Sequence, residues 1–214
     1  MKRKTLVIGD VHGCADELRQ LLELAGDVRV FLVGDLFTKG PKPVQVWSLL
    51  KAHRARSVMG NHDWRLLQCI EGARPNDAHG AAVCAELDRA DPAWRAFVGE
   101  LPLFRKTRKH LITHAALHPS GSTELTDRFT HMLRRRWPGD NRSDSPVWWE
   151  SYTGPPVIFG HDAKRGLVLR ERQGKPWLVG LDTGCVYGGA LSGWIIEEQR
   201  LLQVPAAQVY RAIG

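Results

Sequence analysis

The chain has 214 residues, 43% hydrophobic and 25% charged, a size and balance that fit one packed domain spanning 1–214 and exclude a disordered protein. Thirty Lys and Arg against 23 Asp and Glu give a formal charge of +7, which favours anionic partners without naming the anion. No apolar run approaches the roughly 18 residues of a membrane span, and Leu6-Val7-Ile8 stops at Gly9-Asp10, short of a secretory core of about 7–15 residues. The expectation is a cytoplasmic protein with no membrane partner.

Along the chain, short β-branched runs alternate with helical patterns, the signature of an α/β fold. Residues 5–8 read as a buried strand, and 16–25 as a helix with Leu18, Leu21 and Leu22 on one face and Gly26 at its end. Strand 28–33, helix 43–52, strand 56–59 and helix 64–70 follow. Two short helices are expected at 81–90 and 92–101, and a hairpin over 104–113. Residues 124–137 predict a helix capped by Ser122 or Thr123. Residues 138–156 read as a long loop, and the last third as strands at 157–159, 167–171, 177–181, 191–197 and 201–204. Cys14, Cys69, Cys84 and Cys185 form no C-x-x-C pair, so neither a zinc knuckle nor a disulfide framework is expected.

The chemistry stands where strands end. The first strand runs into Asp10 and His12, the second into Asp35, the third into Asn61 and His62. Leu111-Ile112-Thr113 runs into His114, and Val157-Ile158-Phe159-Gly160 into His161. In open α/β sheets, ligands gather at the carboxyl ends of strands, and core packing has no use for polar residues at five of them. Asp, Asn and imidazole suit Mn, Fe, Zn, Co or Ni, and so many donors favour two ions over one. An Asp can bridge two cations about 3.5–4 Å apart, the spacing that clamps a phosphoryl group for in-line displacement.

In order, GDVHG, GDLFTKG, GNHD, THA, FGH and GLDTGCVYGG resemble the phosphoprotein phosphatase branch of the calcineurin-like metallophosphoesterases. Within that branch the motif variants are most similar to those of symmetrical diadenosine tetraphosphatases and related bacterial Ser/Thr phosphatases. The resemblance covers residues 5–204, loosely over 71–105 and 123–156. It implies a sandwich of two mixed β-sheets flanked by helices. It also implies two divalent ions, with Mn²⁺ suggested by bacterial relatives: Asp10 and His12 on one ion, Asp35 bridging, and Asn61, His114 and His161 completing the second. A hydroxide between them would be the nucleophile, with His62 protonating or polarising the leaving oxygen.

Two departures bear on substrate. Where the protein phosphatases of the family carry Asp and Arg in the second motif, this chain has Thr38 and Lys39. Thr38 brings no charge to orient His62, leaving that role open to Asp63 or another carboxylate. A nucleoside phosphate leaving an anhydride is already a stabilised anion and needs a proton less than a serine alkoxide does. Lys39 keeps the positive charge without a planar fork. The second phosphate-binding Arg has no motif match, and Arg134, Arg135, Arg136 and Arg165 are the candidates.

The expected function is therefore metal-dependent hydrolysis of a phosphoanhydride, with diadenosine tetraphosphate or another dinucleoside polyphosphate as substrate. The alternatives are a protein Ser/Thr phosphatase and an RNA-binding or regulatory protein without turnover. Nucleic acid is the weaker partner: residues 132–137 could grip RNA, but a helix with a solvated basic face is the simpler reading. Trp137, Trp148 and Trp149 are candidates for stacking on adenine, or else buried. His53, His79, His110, His118 and His131 match no motif and read as exposed or locally hydrogen-bonded. Gly184, Gly188 and Gly189 are expected in a turn near the metals. Oligomeric state is not encoded in these motifs.

Overall fold

Strand β1 (Lys4–Ile8) carries the logic of the whole architecture. Its side chains alternate, so Leu6 and Ile8 enter an apolar cluster with helices while Val7 enters a different one on the opposite face. In the computed structural model, which describes residues 3–74, 77–139, 141 and 144–212, this alternation is repeated in strand after strand.

The first sheet has the order β10 (Arg200–Pro205), β9 (Ala190–Ile195), β1, β2 (Val28–Leu32), β3 (Arg56–Ser57). The trio β1, β2 and β3 is parallel, and β9 runs antiparallel to both β1 and β10. The second sheet has the order β4 (Phe104–Lys106), β5 (Leu111–Thr113), β6 (Val157–Phe159), β8 (Lys175–Gly180), β7 (Val168–Arg172). Here β5, β6 and β8 are parallel and the edges β4 and β7 antiparallel. Both sheets are thus mixed, as the resemblance implies.

Between the sheets lies a dry layer contributed by both: Val7, Val33 and Val58 meet Ile112, Ile158 and Val179, all fully buried. The outer face of the first sheet packs on helices α1 (Ala15–Ala25), α2 (Pro43–Ala52), α3 (Asn61–Ile70), α4 (Ala78–Ala90) and α5 (Trp94–Gly99). The outer face of the second sheet is covered by an aromatic layer that includes Trp148 and Tyr152.

Two expectations change. Helix α3 starts at Asn61 rather than Trp64, so the polar motif itself forms the first turn. The helix expected over 124–137 is the short α6 (Arg128–Leu133), capped by Asp127, whose side chain accepts from Thr130 N at 2.6 Å, rather than by Ser122 or Thr123. Tertiary hydrogen bonds stop it. The carbonyls of Thr130 and His131, which a longer helix would offer to residues 134 and 135, accept instead from Ala116 N (3.1 Å) and Ala115 N (2.7 Å). Arg134 is extended, and Arg136 bridges to Val147.

Candidate metal centre

Six strand ends deliver the polar residues. β1 leads to Asp10 and His12, β2 to Asp35, β3 to Asn61, β5 to His114, β6 to His161 and β8 to Asp182. The backbone is bent to bring them together: His12, Asp35, Lys39 and His161 all adopt positive φ, between 46° and 73°, a strain that non-glycine residues bear mainly at functional sites. Two glycines allow the approach. A Cβ on Gly60 would lie 2.2 Å from Asp35 Oδ1, and one on Gly160 would lie 2.1 Å from Asp10 Oδ1.

Backbone carbonyls orient the imidazoles. His114 Nδ1 lies 2.8 Å from Val33 O and His161 Nε2 lies 3.1 Å from Leu133 O. A carbonyl oxygen only accepts, so those nitrogens carry the protons. The lone pairs left on His114 Nε2 and His161 Nδ1 then face Asn61 Oδ1 at 2.9 Å and 3.0 Å. As placed, three acceptor atoms meet with no proton between them. His12 Nε2 lies 3.4 Å from Asp35 Oδ2, and His114 Nε2 lies 3.5 Å from Asp35 Oδ1.

Charge makes the same demand. Burial, then repulsion from Asp182 and Asp35, holds the Asp10 carboxyl well above its ordinary range. Burial pushes Asp35 up to about 6 and Asp182 up to about 7. Burial also drives His114 down to about 4 and His12 and His161 well below the usual imidazole value. Neutral imidazoles and crowded carboxylates are what a cation satisfies. Donor atoms of Asp10, Asp35 and His114 lie within 4.8 Å of one another, as do those of His12, Asp35 and His62. Asp35 belongs to both groups. The donor set fits two divalent ions sharing that carboxylate, although Asp10 is grouped here with His114 rather than with His12.

Asp10, His12, Asp35, Asn61, His161 and Asp182 floor a cavity of about 570 Å³, with Lys39, Arg135, Arg136, Lys164 and Arg165 on its wall and His114 buried beneath. Lys39 Nζ donates to His12 Nε2 at 3.0 Å and lies 5.3 Å from the Tyr187 ring centroid. Arg135 Nη2 donates to His161 O at 3.2 Å, and Arg165 Nε donates to Asp162 at 2.8 Å. Arg134 does not line the cavity: it bonds Thr130 and Gly139 and packs over Phe129 and Trp137. His62 borders the cavity, its backbone N–H donating to Asp35 Oδ1 at 2.9 Å and its ring edge-on to His12 at 5.0 Å. Burial and the Lys39 charge push its imidazole down to about 2.

A family model for calcineurin-like phosphoesterases matches residues 3–181. The chain belongs to the calcineurin-like phosphoesterases. It is 30% identical to the bis(5'-nucleosyl)-tetraphosphatase PrpE [asymmetrical] of Halalkalibacterium halodurans, over 94% of each chain. It is 26% identical to the symmetrical bis(5'-nucleosyl)-tetraphosphatase of Bordetella pertussis, over 95% of this chain and 96% of that one. A crystal structure provisionally assigned as a diadenosine tetraphosphatase superposes with a TM-score of 0.80 at 28% identity, covering 96% of this chain and 95% of the other. The family works through a dinuclear divalent metal centre, so this is a metal-dependent phosphohydrolase.

Several side chains of this phosphoesterase stand elsewhere than its sequence suggests. Thr38 Oγ1 lies 3.4 Å from His12 Nδ1, and among the described residues no side chain hydrogen-bonds the His62 ring. Asp63 does not fill that role, because its carboxylate accepts the N–H groups of Asp35, Leu36 and Gly60 at 2.8–3.0 Å. Trp148 is buried against Tyr152 and Phe159, so its faces are closed to an adenine ring. His110 and His131 are buried rather than exposed; His131 Nδ1 bonds Thr113 Oγ1 at 2.9 Å. Asp182 and Lys164 were missed as site residues. Asp182 was findable, since it follows β8 as Asp10 follows β1; Lys164 lies on a turn with no such signal.

Proposed function

We propose that this phosphoesterase hydrolyses a phosphoanhydride of a dinucleoside polyphosphate, with diadenosine tetraphosphate the first substrate to test. The observation that carries the reading is a carboxylate, amide and imidazole cluster flooring a cavity whose wall is cationic. The names of its relatives support the substrate class, and they include both symmetrical and asymmetrical enzymes.

In this reading Asp10, His12, Asp35, Asn61, His114 and His161 hold the ions, with Asp35 shared and Mn²⁺ the proposed metal. Asp182 adds a buried carboxylate beside Asp10. When bound, the ions supply positive charge for the phosphoryl oxygens and an activated water. Lys39, Arg135, Arg136 and Arg165 bind the phosphate chain, and Asn61 orients the phosphate at the centre. His62 offers a hydrogen bond to the leaving oxygen. Its lack of a carboxylate partner favours an anhydride, whose leaving phosphate departs as an anion without needing a strong acid. A cytoplasmic location goes with such a nucleotide substrate.

Purified protein with Mn²⁺ should convert diadenosine tetraphosphate to nucleotides on ion-exchange chromatography. ADP alone would define symmetrical cleavage, and ATP plus AMP asymmetrical cleavage. Phosphate released from a phosphopeptide while the dinucleotide stays intact would instead make the protein a Ser/Thr phosphatase.

A further inference from the structure

Lys39, His62 and Tyr187 form a ridge with a cavity on either side. One is the cavity over the metal ligands. The other, of about 520 Å³, is walled by Arg65, His79 and Arg211, none of which any motif singles out. Arg65 stands three residues after His62 on α3, on the same face of the helix. Its Nε is buried and has no acceptor among the described residues, a state that buried guanidinium nitrogens rarely keep unless something else completes it. His79 Nε2 accepts from Lys39 N at 2.9 Å, which leaves its ring proton on Nδ1. One carboxylate, Asp77, shares this wall and accepts from Gly80 N at 2.8 Å. Lys39, Arg65 and Arg211 therefore outnumber it three to one.

We infer that this second cavity receives the phosphates of the departing half of the substrate. The inference rests on the phosphoanhydride reading above. Water oxygen bonds to the attacked phosphorus, and the bridging P–O bond breaks. The bond's electron pair leaves with the departing phosphate oxygen, and the water proton passes to solvent. Charge then grows on the departing oligophosphate beside His62, where Arg65 and Arg211 stand ready to pair with it. The metal-side cavity keeps the other half.

The test compares kcat/KM for diadenosine tetraphosphate and for p-nitrophenyl phosphate, whose leaving group carries no phosphate, in wild type, Arg65→Ala and Arg211→Ala. The selectivity for the tetraphosphate is expected to fall by about tenfold or more in each variant, the size of one lost charge-assisted hydrogen bond. Calorimetric titration of ADP into the manganese-loaded protein should weaken by a similar factor. Equal losses on both substrates, or unchanged selectivity and ADP affinity, would overturn the subsite. Arg211 is exposed, so its variant decides the matter should Arg65→Ala fold poorly. A wild-type enzyme inert toward the tetraphosphate would instead remove the functional reading itself.

Discussion

Val33 O and Leu133 O each take a proton from an imidazole, and by doing so they aim the remaining lone pairs of His114 and His161 at one spot. Second partners of this kind orient metal-binding histidines and raise their basicity. The strand-end rule found both histidines from sequence, because a polar residue directly after an apolar run is visible without a structure. It could not show which ring nitrogen faces inward, since Leu133 comes from a distant helix. Nor could it show that the Thr38 hydroxyl reaches His12 rather than His62. Substituting Thr38→Asp would set a carboxylate beside His12, whose ring is edge-on to that of His62, and its negative charge should favour the protonated form of His62. The expected outcome is a rise of about tenfold in phosphopeptide over tetraphosphate kcat/KM, the equivalent of about one pKa unit of interaction. Steady-state kinetics on both substrates measures it, and an unchanged ratio would show that position 38 does not set leaving-group preference.

Among the elements, α3 does most to position the centre. Its first turn contains Asn61 and His62, and Asp63 ties that turn to the loop after β2 through the buried N–H groups of Asp35 and Leu36 while capping its own helix at Gly60 N. The GNHD motif was legible, yet the sequence placed the helix start three residues late, because the capping acceptor serves a distant loop as well as its own helix. For α6 the error ran the other way. Its helical periodicity continues past Leu133, and only the contacts of Ala115 and Ala116 with its carbonyls end it. Replacing Asp63 with Ala would orphan three buried donors at about 1 kcal/mol or more each. A loss of about 3 kcal/mol in urea unfolding is expected, with weaker Mn²⁺ binding because Asp35 loses its anchor. A change below about 0.5 kcal/mol would mean that the clamp contributes little.

For the whole molecule, the strands of the two sheets were legible as short β-branched runs, but their pairing was not. The order of β4, β5, β6, β8 and β7 depends on connections that leave no mark in local sequence. Stability should depend on pH in a way that reveals the metal. The histidines of the site, with His110 and His131 (both near 4), have folded values below the 6.5 of an unfolded chain. They make stability fall as pH drops below about 6.5. The carboxylates act oppositely. Asp35 (about 6), Asp182 (about 7) and Asp10 lie above their unfolded 3.8, so folding holds their protons and stability is lost as pH rises through those values. Above about pH 6.5 the histidine contribution is complete and Asp35 has passed its value, so the loss through Asp182 and Asp10 remains. Thermal midpoints in chelator should therefore decline from pH 6.5 toward 8, and Mn²⁺ should abolish that decline. Parallel curves with and without metal would argue against carboxylates awaiting a cation.

The most direct measurement is anomalous diffraction at the manganese edge from crystals grown with Mn²⁺. A dinuclear centre predicts two peaks about 3.5–4 Å apart, with Asp35 touching both and Asp10, His12, Asn61, His114 and His161 around them. A single peak, or peaks lying away from Asp35, would contradict it.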